Sequence, residues 1–188
     1  MWRYVIFLGS LFFVQFANAQ HVAQDTVLDM SPMDMSYLPR NYPELKSHGE
    51  VRTPPLARVI YSRPKKNGRN IFGNVVVYGR QWRMGANEST EIEFFKPVKI
   101  NNKTINKGRY TISAICYEDK WTIILNKDVD TWGLYYNPKN DVIRVDVPVQ
   151  HLDYSVESLA IYFDLEKTAA TLNVTWDNIK VALPIRLQ

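Results

Sequence analysis

The sequence predicts an all-β domain, an antiparallel β-sandwich with a flattened β-barrel as the alternative, preceded by an irregular N-terminal arm. Three observations carry this. Apolar and polar residues alternate from about residue 56 onward, the period of a strand with one buried face. The alternating runs are short and separated by turn-forming Asn, Asp, Gly and Lys clusters such as "NNK", "NKG" and "YEDK". No stretch beyond residue 56 repeats convincingly at 3.6 residues, apart from a turn near "VQHLDYSVE".

The elements follow in order. "MWRYVIFLGSLFFVQFANAQ" has Arg3, an apolar run from Val5 to Phe16, and Ala17-Asn18-Ala19. That is the pattern of a signal peptide over residues 1–19, cleaved before Gln20. Its apolar core is shorter than the roughly 20 residues of a spanning helix. The expected location is therefore the periplasm or the exterior, with no membrane span after cleavage. Residues 20–55 carry Pro32, Pro39, Pro43, Pro54 and Pro55 and read as the arm, with a short helical turn around Met33 to Tyr37. Met33, Met35, Tyr37 and Leu38 are the side chains expected to tie it down.

The domain proper is residues 56–188. "ARVIYS" opens it. "TEIEFF" sets Ile92 and Phe94 against Glu91 and Glu93, and "RYTISAIC" places Tyr110, Ile112, Ala114 and Cys116 on one face. "KWTIILN", "VIRVDVPV", "SLAIYFDL", "ATLNVTW" and "IKVALPI" continue the alternation, with "DN" at 177–178 read as a tight turn between the last two strands.

The net charge of +4 is well mixed, which disfavours nucleic acid as a partner. Cys116 is the single cysteine, so no disulfide forms within the chain, and its place on an alternating strand reads as a buried hydrophobe. His21, His48 and His151 lack ligand spacing, so no metal or other cofactor is expected. "NKDVDTWG", with Asn126, Asp128 and Asp130, is the nearest approach to an oxygen-rich loop.

The richest stretch is "YGRQWRMGANESTEIEF", residues 78–94. Aromatic faces beside Arg, Asn and Glu are common tools for holding polar ligands. On that ground Arg69, Tyr78, Trp82, Arg83, Asn87 and Glu88, with Trp132 as a wall, are the candidate ligand-binding residues. Glu88 and Glu91 are the weak catalytic candidates, as general acid and base. The competing structural reading has Arg83 paired to Glu88 or Glu91 in a buried ion pair, with Asn87 in a left-handed turn.

"SPMDMSYLP", "ARVIYSRPKKNGRNIFG", "VVYGRQWRMGANESTEIEF", "GRYTISAICYEDKWTIILNKDVDTWG" and "VDVPV" follow one another in order. Together they resemble an uncharacterised secreted family of Bacteroidota-type bacteria, domain of unknown function 2911, over roughly residues 31–185. The resemblance implies an exported, mostly β domain and no catalytic residues to carry over. "FGNVVVYG" has Asn74 and Val77 where the family more often has glycine and proline. The expected function is a non-catalytic binding module for a polar, saccharide-like or envelope-derived ligand. The alternatives are a structural or interaction domain of the envelope, or a hydrolase using Glu88 and Glu91.

Overall fold

Strand formation follows the alternation wherever one face of the chain can be buried. The computed structural model describes residues 29–167 and 169–187; the expected signal peptide lies outside them. After β1 (Met33–Leu38) and α1 (Tyr42–Ser47) come β2 (Ala57–Ser62), β3 (Gln81–Trp82), β4 (Glu91–Phe94), β5 (Val98–Ile100), β6 (Lys103–Ile105), β7 (Gly108–Cys116), β8 (Lys120–Asn126), β9 (Asp141–Glu166) and β10 (Ala169–Leu187). The strand order is β1-β2-β4-β7-β8-β9-β10-β5-β6, with β3 extending the β4 edge of β7. All neighbours are antiparallel. The sheet is not closed, and the architecture is the sandwich-like one the alternation predicts. No described helix is long and apolar enough to cross a membrane.

β9 joins the two layers. Asp141–Pro148 pairs with β8, and the rest of the strand pairs with β10. Its free edge meets the segment after β2, where Lys66 N–H donates to the Glu157 carbonyl at 2.7 Å and Leu159 N–H to that of Pro64 at 3.0 Å. Between the layers Trp82 stacks on Trp176 at 6.0 Å, and Trp121 and Phe72 pack edgewise against them. Cys116 is fully buried, as its alternation predicts, and burial pushes its thiol up.

Four local expectations are corrected. The turn around Met33 to Tyr37 is a strand, paired along its length with β2, so the arm is not wholly irregular. An exposed strand edge offers a row of free backbone donors and acceptors, and these outweigh the weak local helical pattern. Of the four expected anchors only Leu38 is fully buried; Met33 and Met35 stay exposed, and Tyr37 rests on Tyr42. The "DN" turn is a bulge inside β10, with Asp177 at φ +52°. Asp tolerates that left-handed backbone, but here it bends a strand instead of ending one. "VQHLDYSVE" likewise lies inside β9, so the last strands are two long ones, not four short ones.

Candidate functional site

The 83–90 segment leaves β3 irregularly because Met84 and Asn87 take left-handed backbone, φ +54° and +56°. The Thr90 hydroxyl donates to the Met84 carbonyl at 2.9 Å and closes the segment on itself. It then lies against the 127–136 loop. Glu88 forms an isolated antiparallel bridge with Trp132, and the Ser89 and Thr131 hydroxyls are 3.1 Å apart.

The approach is closest at Gly133. A β-carbon there would sit 2.3 Å from both Arg83 Cδ and the Asn87 carbonyl oxygen. The Arg83 stem is therefore clamped beneath Gly133. Its Nε is buried without a hydrogen-bond partner, and burial pushes the guanidinium pKa down.

The expected ion pair between Arg83 and Glu88 or Glu91 is absent among the described residues. Arg109 of β7 holds Glu91 instead, with Nη2 at 2.5 Å and Nε at 3.1 Å from Oε2. The other oxygen, Oε1, accepts the Asp130 N–H at 2.7 Å. Arg109 also grips the Asp130 carboxylate with both terminal nitrogens, at 2.5 and 3.2 Å. These bonds, to Asp130 first and then Glu91, push the Arg109 pKa up. Register explains the substitution. Glu93 lies opposite Arg109 and Arg58 on the neighbouring strands, and Glu91 lies diagonal to Arg109, whereas Arg83 sits on a loop that points elsewhere. Arg58 Nη2 pairs with Glu93 at 2.8 Å and completes the charged stripe.

Two concavities open where the loops meet. One, of about 320 Å³, is lined by Met33, Ile60, Glu88, Ser89, Glu91, Asp130 and Thr131. The other, of about 560 Å³, is a shallow groove along Lys127–Val129, Thr131, Trp132 and Tyr135. Thr131 is common to both. Trp132 and Tyr135 are each 53% exposed and Leu134 is 73% exposed. In the same loop Asp128 Oδ1 accepts from Asn140 Nδ2 at 2.7 Å, and Asp128 N–H donates to Asn126 Oδ1 at 2.8 Å. No trio of His, Cys, Asp or Glu with metal-binding geometry occurs among the described residues.

Arg83, Asn87, Glu88 and Trp132 are thus brought together, though only Glu88 and Trp132 line the concavities. Asn87 donates to Asp29 at 2.6 Å. Trp82 belongs to the aromatic core, its Nε1–H given to the Gly85 carbonyl at 3.3 Å. Tyr78 packs over Gly73, where an added β-carbon would lie 3.1 Å from the ring. Arg69 folds back on the carbonyls of Lys65 and Lys66 at 2.6 and 2.9 Å. Arg109 and Thr131 escaped the sequence reading. Neither carries a local signal in the sequence: Arg109 meets Glu91 only through the register of β4 on β7.

The sequence profile of a family described as "Protein of unknown function (DUF2911)" matches residues 48–185. The arm motif "SPMDMSYLP" lies outside that match. No curated protein and no solved structure matches the chain.

Proposed function

The chain belongs to the family described as "Protein of unknown function (DUF2911)", and from that premise we propose that it is an exported, non-catalytic binding module for a hydroxyl-rich, saccharide-like ligand. The carrying observation is the pair of exposed rings, Trp132 and Tyr135, on a groove that adjoins a carboxylate-lined cavity. A sugar ring presents an apolar C–H face that stacks on an aromatic plane. Its hydroxyls donate to a carboxylate such as Glu88, which lines the cavity. The Trp132 backbone is fixed by the bridge to Glu88 and by the close packing at Gly133, so less loop-ordering entropy remains to be lost on binding.

The hydrolase alternative draws less support. Both oxygens of Glu91 are held by Arg109 and the Asp130 amide, and both oxygens of Asp130 by Arg109, which leaves Glu88 without a free carboxylate partner in that cavity. The structural alternative loses its buried Arg83 pair.

Calorimetric titration with soluble oligosaccharides and peptidoglycan fragments tests the proposal. Saturable binding is expected, weakened at least tenfold in Trp132→Ala with the melting temperature little changed. No response from any saccharide, or equal binding by Trp132→Ala, overturns it.

A further inference from the structure

A larger cavity, of about 640 Å³, lies away from both loops, between the β5–β6 hairpin and the two ends of β10. Ala169 and Ala182 both line it. Thirteen residues separate them on one strand, roughly 43 Å if fully extended at ~3.3 Å per residue. β10 therefore curls back on itself, and its register shifts at Thr175–Asp177 and Asp177–Ile179 mark where.

The accessible apolar part of the wall is Val145, Pro148, Ala182 and Pro184, while Val147, Ala170 and Ile185 are packed into the core behind it. The charged rim is unusual. Lys99 and Arg186 are direct cross-strand partners, and like charges placed opposite one another oppose pairing. Neither has an ion pair among the described residues. The one carboxylate in the lining, Asp146, is taken by Lys120 Nζ and Thr122 Oγ1, each at 2.6 Å. The size falls within the usual range for small-molecule sites, which are mostly apolar with a few polar groups that fix orientation.

We propose that this cavity takes an amphiphilic carboxylate, its alkyl chain against Val145, Pro148, Ala182 and Pro184 and its carboxylate between Lys99 and Arg186. The anion supplies negative charge to two facing cations that have no ion pair among the described residues, and the bent strand supplies the apolar volume. Acetate fills only the rim, and dodecanol only the walls.

Calorimetric titration of the full chain with dodecanoate, below micelle formation, tests this. One saturable site is expected, with dodecanol and acetate at least tenfold weaker. Arg186→Glu converts the opposed cations into a Lys–Glu pair. It should keep or raise the melting temperature while weakening dodecanoate at least tenfold. Ala182→Trp should block the site; if that variant does not fold, Arg186→Glu still decides. Absence of a saturable heat, equal binding of dodecanol, or undiminished binding by Arg186→Glu overturns the proposal. Trp132→Ala should leave dodecanoate binding unchanged, which separates this site from the aromatic groove.

Discussion

At Gly133 a single hydrogen in place of a methyl group decides whether two loops can meet. The β-carbon of an alanine would press on the Asn87 carbonyl, which is backbone and cannot swing aside, and on Arg83 Cδ. Gly133→Ala is expected to cost about 1–3 kcal/mol, the usual range for overpacking, read as a shift in urea midpoint at unchanged slope. Arg83 makes the complementary case. Its stem packs, but its Nε finds no partner, so its charge adds little to stability. Arg83→Met keeps the stem and drops the charge, and should unfold within about 1 kcal/mol of the parent, because long side chains often stabilise through their packing. A larger loss by chemical denaturation would restore an ion-pair role for Arg83. The sequence marked Arg83, Asn87 and Glu88 as neighbours in one dense motif, and the left-handed backbone at Asn87 was legible because Asn adopts it readily. The partner of Glu91 was not. It is chosen by strand register across β4 and β7, and registers depend on residues far apart in the chain.

At the scale of elements, alternation revealed where the strands lie but not how long they run. Bulges let β9 and β10 bend without ending, so turn-forming residues such as Asp177 sit inside a strand. That bulge has a second job. Asp177 Oδ1 accepts Lys66 Nζ at 2.5 Å and the Ser155 hydroxyl at 3.0 Å, which fastens the basic loop after β2 to the second layer. Burial alone would push the Asp177 carboxyl up, but Lys66 and Ser155 outweigh it and hold the pKa below the ordinary value. A carboxyl depressed on folding contributes stability that is complete above its unfolded pKa of about 3.9 and is lost as pH falls through the lower folded value. Urea unfolding at pH 5 and at pH 2.5 should therefore show a smaller acid loss in Asp177→Asn than in the parent chain. An identical loss would mean that the fastening contributes nothing across that window.

For the molecule as a whole, the informative boundary is residue 48, where the family match begins. β1 and α1 lie before it, yet β1 covers the whole of β2 in unbroken register from Met33 opposite Ser62 to Leu38 opposite Ala57. Leu38 is buried in the shared core, and its carbonyl accepts the Leu56 N–H at 2.8 Å. Without β1, β2 would become the edge of the sheet. Its sequence "ARVIYS" is rich in β-branched and aromatic residues with a single charge at Arg58, the composition of an edge that recruits other chains. A chain starting at residue 48 should keep its β-sheet circular dichroism, since the rest of the ladder is intact. It should nevertheless elute as dimers or larger species in size exclusion with light scattering, at concentrations where the chain with β1 does not. Adding Ile60→Lys to the shortened chain places a charge on that edge and should restore the smaller species. If the shortened chain is no more associated than the longer one, β1 is an ornament on a sheet that protects its own edge.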